Sequence, residues 1–107
     1  MMYKNKNFFN LIKKSINKKN DPICVWGVGY IGLSTASFFA KNNKSAIGFD
    51  VDKNLIQNLN KGILKNLDFQ KWLGFSIKKL TIKKKLTFTT NIKNLKKVNP
   101  KIHFICI

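Results

Sequence analysis

The sequence contains no arginine: all 21 of its basic residues are lysine, and only 4 acidic residues offset them, which gives a net charge of +17 over 107 residues. Such a surplus attracts phosphates over long range. Arginine, however, is the residue that reads base edges and clamps phosphates through two parallel hydrogen bonds. The sequence is also crowded with Asn, Ile and Phe, which indicates a proteome-wide residue bias. We therefore expect no specific nucleic-acid partner, although small anionic ligands are favoured.

Cysteine and histidine are scarce, and long hydrophobic runs are missing. Cys24 and Cys106 both lie in apolar segments, and His103 is the single histidine, so no short metal-binding spacing and no disulfide framework exists. No run approaches the roughly 18 to 20 apolar residues of a membrane span, and the first residues lack a signal-peptide core. The sequence predicts two reduced core thiols, no membrane partner and a cytoplasmic location.

The length of 107 residues fits one small domain, and a hydrophobic content of 44% is enough for a packed interior. Phe8, Ile12 and Ile16 recur at a spacing of four among lysines, which predicts an amphipathic helix over residues 5–19. We expect residues 1–20 to form a helical extension that packs on the domain or on a partner subunit. Residues 21–107 form the domain itself, and chemistry that needs two domains must be completed elsewhere.

Short apolar runs alternate with helical patterns along the domain. Asp52 is placed to cap the second of these helices, and Gly62 lies where a helix commonly ends in a left-handed residue. The predicted strands cover 23–26, 45–50, 86–90 and 102–107, and the predicted helices start at Tyr30, after Asp52, at Leu67 (through Leu80) and at Asn91. This alternation predicts a Rossmann-type α/β fold with about four parallel strands, in the order 3-2-1-4. The fourth strand is then an apolar edge, so we expect the natural chain to continue beyond Ile107.

The motif Gly27-Val28-Gly29-Tyr30-Ile31-Gly32 is a G-x-G-x-x-G between an apolar strand and a helix. The first glycine permits a tight turn, the second lets a diphosphate approach the backbone, and the third lets the helix pack on the strand. The helix start offers free N–H groups to phosphates. Asp50 closes the next strand, 23 residues after Gly27, where a carboxylate accepts hydrogen bonds from ribose hydroxyls.

A carboxylate at position 50 repels a 2′-phosphate, and no arginine follows to receive one, so the sequence predicts NAD rather than NADP. The expected cofactor contacts are Gly27, Gly29, Tyr30, Ile31, Gly32 and Asp50, with Lys53 as a candidate for the adenosine phosphate or ribose. The alternative is a glycine-rich turn without cofactor and an Asp50 that only ends a strand. Neither cysteine has a base beside it in the sequence, so neither is predicted to be a nucleophile.

The run CVWGVGYIGLSTASFFAKNNKSAIGFDVDKNLIQNLNKG resembles the N-terminal segment of the UDP-glucose/GDP-mannose dehydrogenase family. That family has a G-x-G-Y-[IV]-G-L turn, a strand ending in G-x-D and a helix ending in an Asn-x-Gly step. KLTFTTNIKNLKKVNPKIHFICI resembles the next strand, helix and strand, so the likeness covers Ile23 to Ile107, with a poor match from Leu64 to Lys85. Two features depart from the pattern: Leu55 replaces a basic residue, and a Glu-Pro-Gly-Leu segment is missing.

The resemblance implies an enzyme that oxidises the C6 alcohol of a nucleotide sugar to a carboxylate in two NAD-dependent steps. The sugar would be of the UDP-glucose or UDP-N-acetylhexosamine type, and the full-length protein would be a homo-oligomer. The family's catalytic cysteine lies in a later region, so no catalytic residue is expected before Ile107 and these 107 residues alone are expected to be inactive. A non-catalytic NAD-sensing module, or another NAD-dependent dehydrogenase, remains the alternative.

Overall fold

The computed structural model describes residues 21–106, which form four parallel strands connected by five helices. The strands are β1 (Ile23–Trp26), β2 (Ala46–Phe49), β3 (Leu86–Thr89) and β4 (Ile102–Ile105), and the helices are α1 (Tyr30–Lys41), α2 (Lys53–Asn60), α3 (Leu67–Leu73), α4 (Ile77–Ile82) and α5 (Ile92–Val98). The strand order is β3-β2-β1-β4, which confirms the predicted Rossmann-type arrangement. The predicted helical extension of residues 1–20 lies outside the described residues, as does Ile107.

Strand β1 is the centre of the sheet because parallel strands flank it on both sides. Ile23 is in register with Ala46 of β2 and with Ile102 of β4. Three successive residues of β1, Ile23 to Val25, are fully buried, as expected for a strand that is covered on both faces. This burial explains why the run contains no polar residue.

Polar side chains and glycine set the limits of the first two helices. Asp52 caps α2, since its Oδ1 accepts a hydrogen bond from the N–H of Leu55 at 3.1 Å. Gly62 follows the end of α2 with a φ of +75°, as the sequence predicted. Helix α1 ends at Lys41, and Asn43 adopts a φ of +67° just after it.

The stretch from Leu67 to Leu80 was predicted as one helical segment, and the structure divides it in two. Gly74 ends α3 in the left-handed region with a φ of +75°. Ser76 then starts α4, because its side chain accepts a hydrogen bond from the N–H of Lys79 at 3.3 Å. The apolar periodicity continues across the break, with Leu73 and Ile77 both buried, which is why the pattern alone suggested a continuous helix.

The two faces of the sheet carry cores of unequal size, because successive strand residues point to opposite faces. Helices α1 to α4 cover what we call the first face, and α5 covers the second face. The buried residues of the first face are Ile23, Val25, Val28, Leu33, Ala36, Ala40, Ala46, Ile56, Leu59, Leu73, Ile77, Leu86 and Phe88. Those of the second face are Cys24, Ile47 and Leu95, with Trp26 and Phe49 packed beside them.

A side-chain amide closes the outer edge of β3. The carbonyls of Lys85 and Thr89 accept hydrogen bonds from the first residue of β2 and from the residue that follows β2, so the backbone groups of Phe88 point away from the sheet. The Nδ2 of Asn60 donates to the carbonyl of Phe88 at 3.0 Å, and the N–H of Phe88 donates to the Oδ1 of Asn60 at 3.1 Å. Asn60 therefore occupies the place of a neighbouring strand.

Among the described residues, no helix has the length and apolar character needed to cross a membrane.

Candidate functional site

The turn between β1 and α1 is built by the first glycine of the motif. Gly27 adopts a φ of +90°, and its N–H donates to the carbonyl of Phe49 at 2.8 Å. Gly29 is the N-cap of α1, and its carbonyl accepts from the N–H of Leu33 at 2.8 Å. The strand thus becomes a helix within three residues, and the first N–H groups of α1, from Tyr30 onward, have no partner within the helix.

The other two glycines of the motif differ in the space around them: Gly32 is crowded and Gly29 is open. A Cβ atom at Gly32 would lie 1.7 Å from the carbonyl oxygen of Gly27, whereas a Cβ at Gly29 would meet nothing within 4 Å. Gly32 is therefore required for contact between α1 and the turn. The open space at Gly29 leaves its backbone accessible to a phosphate group.

Asp50 directs its carboxylate towards this turn. Strands β1 and β2 end side by side, since Trp26 is in register with Phe49. The Oδ2 of Asp50 accepts a hydrogen bond from the N–H of Val28, and its Oδ1 accepts one from the N–H of Asp52, both at 3.1 Å. Each carboxylate oxygen has a further lone-pair site, so both can also accept from the hydroxyls of a ribose.

A cavity of about 460 Å³ opens beside the turn on the first face of the sheet. It lies between the start of α1, helix α2 and the segment that leads into α3. Its lining mixes apolar side chains with amides and two charged groups. The lining residues are Val28, Gly29, Tyr30, Leu33, Asp52, Asn54, Leu55, Asn58, Leu59, Ile63, Leu64, Lys65, Asn66 and Phe69.

One wall of this cavity is tied to the first residue of α1. The ring of Tyr30 stacks on Phe69 with centroids 4.8 Å apart, and its hydroxyl accepts a hydrogen bond from the Nδ2 of Asn66 at 2.8 Å. Sequence reasoning missed Lys65, Asn66 and Phe69, because they lie in the stretch that matched the family pattern poorly. An asparagine directly before a helical apolar stripe is typical of a helix cap, and this signal could have identified Asn66.

The remaining residues considered in the sequence differ in their placement. Ile31 is 73% exposed on the first turn of α1, next to the open backbone of Gly29. Lys53 is the exposed first residue of α2 and does not line the cavity. Among the described residues, no group of three potential metal ligands occurs.

The two thiols and the imidazole differ in their surroundings: Cys24 is buried, Cys106 is half-buried and His103 is exposed. Burial raises the pKa of the Cys24 thiol to about 11, so this sulfur stays protonated at neutral pH and is a poor nucleophile. Cys106 is half-buried and free. The Nδ1 of His103 accepts a hydrogen bond from the indole of Trp26 at 2.9 Å, and its Nε2 lies 3.0 Å from the carbonyl of Pro100.

A parallel sheet whose first crossover opens on G-x-G-x-x-G, and whose second strand is followed by a carboxylate facing that turn, defines a Rossmann-type dinucleotide-binding domain. Residues 21–107 match the model of the UDP-glucose/GDP-mannose dehydrogenase family, NAD binding domain. The chain therefore belongs to this family and carries its NAD-binding domain. The fold, the family resemblance and the cofactor that the sequence predicted are thereby confirmed.

Curated relatives carry the name UDP-N-acetyl-D-mannosamine dehydrogenase. The Campylobacter jejuni protein is 48% identical over 42 residues, which are 39% of this chain and 10% of that protein. The Pyrococcus horikoshii protein is 31% identical over 85 residues, which are 79% of this chain and 19% of that protein. The chain thus spans between 10% and 19% of the length of these two relatives.

Solved structures show the same fold. UDP-D-ManNAc dehydrogenase from Pyrococcus horikoshii superposes with a TM-score of 0.66 at 30% identity, covering 80% of this chain and 20% of that one. GDP-mannose dehydrogenase from Pseudomonas aeruginosa, solved as a ternary complex, gives 0.62 at 25% identity, covering 79% and 19%. Both relatives are nucleotide-sugar dehydrogenases by name.

Proposed function

We propose that this chain binds NAD across the carboxyl edge of its sheet, as part of the cofactor-binding domain of a nucleotide-sugar 6-dehydrogenase. The observation that carries the proposal is the position of Asp50, whose carboxylate faces the glycine turn and is held there by the N–H of Val28 at 3.1 Å. The free N–H groups of Tyr30 and Ile31 are the donors for the diphosphate, and the open backbone at Gly29 gives the phosphates room.

Asp50 binds the adenosine ribose in this proposal. Two backbone N–H groups already fix the orientation of its carboxylate, so little side-chain freedom is lost when the ribose diol arrives. A carboxylate in this place also repels a 2′-phosphate, which favours NAD over NADP. Lys53, the exposed first residue of α2, is given no role in this proposal, because Asp50 already binds the ribose.

The substrate of the whole protein is proposed to be a UDP-N-acetylhexosamine that is oxidised at C6. This is supported by the names of the relatives from Campylobacter jejuni and Pyrococcus horikoshii, both UDP-N-acetyl-D-mannosamine dehydrogenases. When bound, NAD supplies the hydride acceptor. The described residues are proposed to hold and orient the cofactor. Cys24 is buried and has a raised pKa, and His103 is hydrogen-bonded to Trp26, so the groups that act on the sugar are expected outside the described residues. We expect the 107 residues to bind NAD without oxidising a sugar.

Replacing Asp50 by Asn tests the proposal. The variant retains the shape of the side chain but loses the charge and one acceptor, and we expect NAD binding to weaken by about 1.5 to 3 kcal/mol, the range for hydrogen bonds to a charged group. Calorimetric titration of the full chain measures this loss. Asp68→Asn, in the first turn of α3, is the matched control and is expected to bind NAD as the wild type does. Equal affinity of the Asp50 variant and the wild type would contradict the proposal.

A further inference from the structure

The cavity beside the glycine turn carries two opposite charges. Among its lining residues, all of which lie in the described part of the chain, Lys65 is the one cation and Asp52 the one anion. Asp52 is committed to the cap of α2, where its Oδ1 accepts from the N–H of Leu55. Lys65 precedes α3, and its side chain is exposed.

A cation beside this turn would strengthen the binding of a diphosphate beyond what the backbone N–H groups supply. The diphosphate carries two negative charges, and the carboxylates of Asp50 and Asp52 lie at the same edge of the sheet. The start of α1 offers roughly half a positive charge, which offsets only part of this repulsion. Leu55, which also lines the cavity, offers no charge at all.

The segment that carries Lys65 is fixed to the glycine turn by Asn66. The Nδ2 of Asn66 donates to the hydroxyl of Tyr30 at 2.8 Å, and its Oδ1 accepts from the N–H of Phe69 at 3.0 Å. The stacking of Tyr30 on Phe69 closes the same wall. Because Lys65 directly precedes Asn66, its backbone is held beside the first residue of α1.

We propose that Lys65 is the cation that contacts the diphosphate of the dinucleotide. This inference rests on the proposed function and adds to it a phosphate-binding residue that lies outside the glycine motif. Lys65 supplies the charge from the segment before α3, and Asn66 ties that segment to Tyr30. The long lysine stem lets the ammonium group follow the phosphates while the backbone stays fixed.

The test compares the NAD affinity of four variants of the full chain by calorimetry. At about 0.15 M salt, where charges act over only ~8 Å, we expect Lys65→Gln to weaken binding up to about fivefold, the upper range for an exposed ion pair. Lys65→Arg retains the affinity. Lys61→Gln, at the end of α2, removes the same charge four residues away and is expected to have little effect, as is Lys53→Gln at the start of that helix.

The salt dependence of NAD affinity provides a second test. The loss for Lys65→Gln should shrink as the salt concentration rises towards about 1 M, because screening removes the contribution of the ammonium group from the wild type. Far-ultraviolet circular dichroism confirms that each variant is folded. Equal affinities of Lys65→Gln and the wild type, or an equal loss in Lys61→Gln, would overturn the assignment of Lys65. A wild-type chain that fails to bind NAD would overturn the proposed function itself, so the two failures are distinguishable.

Discussion

The two faces of the sheet differ in how they are covered. On the first face, four helices pack against the strands and surround the larger set of buried side chains. On the second face, α5 is the one helix within residues 21–106 that covers Cys24 and Ile47, and Trp26 and Phe49 stay partly accessible at its margin. The glycine turn and the cavity belong to the first face. The part of the molecule that is proposed to hold the cofactor is therefore also the part that should contribute most to stability.

The largest effect should come from truncating one leucine on each face. Leu59 on α2 and Leu95 on α5 are 1% and 4% exposed, but Leu59 has many more buried neighbours. We expect Leu59→Ala to lower the free energy of unfolding by about 4 kcal/mol and Leu95→Ala by about 2 kcal/mol, since the cost grows with the cavity left behind. Urea denaturation of both variants measures the difference, and equal losses would show that the faces contribute alike.

A smaller loss is expected from Asn60, the α2 residue that closes the edge of β3. Asn60→Ala leaves the N–H and the carbonyl of Phe88 without their partner, which should cost about 1 to 2 kcal/mol. Gln57→Ala, on the exposed side of the same helix, is the control for helix propensity. A loss no greater than that of the Gln57 variant would mean that water replaces the amide without cost.

Ser37 on α1 offers a test in which the substitution is expected to raise stability. Its hydroxyl is fully buried, and no hydrogen-bond partner exists for it within residues 21–106. Ser37→Ala should therefore stabilise the chain by about 1 kcal/mol, because an unsatisfied polar group is removed from the first face. Ser34→Ala removes a hydroxyl that does have a partner, the carbonyl of Ile31 at 2.9 Å, and should give no such gain. Thermal unfolding of the two variants provides the comparison.

The burial of the second face can be tested through the Cys24 thiol, and the effect on stability is expected only at high pH. Burial raises the pKa of Cys24 from 9.0 to about 11, so folding favours the protonated form. The stability that this preference contributes is present below about pH 9 and is lost as the pH rises through about 11. Relative to Cys24→Ala, the wild type should therefore lose stability between those values, while the lysines titrate in both proteins and cancel. A constant difference across this range would show that α5 leaves the thiol hydrated.

Local signals predicted the turn and the helix limits well. Four residues have the roles that their chemistry predicts. Gly27 and Gly62 adopt a positive φ, Gly32 has no room for a Cβ atom, and Asp52 caps α2. The strand order followed from the alternation of strands and helices, because right-handed crossovers leave few alternatives. The position of Asp50 beside the turn followed from the parallel pairing of β1 and β2.

The contacts that the sequence did not predict join residues far apart in the chain. Asn66 and Tyr30 are 36 residues apart, and Asn60 and Phe88 are 28 apart, so neither pair leaves a periodic pattern. Gly74 interrupts the apolar pattern in the sequence, but that pattern continues on both sides of it, and the left-handed backbone in the structure shows that the helix ends there. The cavity wall formed by Asn66 and Phe69 lies at the beginning of this same stretch.

The amide of Asn60 makes one edge of the sheet less available than the other, because it occupies the N–H and the carbonyl of Phe88 on β3. A further strand, whether from this chain or from another, would therefore add its backbone hydrogen bonds more readily alongside β4. Such a strand, if parallel, would end next to Cys106, whose Cβ atom lies within 3.2 Å of the Cβ position at Gly32. One side chain of α2 thus favours extension of the sheet at the flank of the nucleotide turn that lies opposite Asp50.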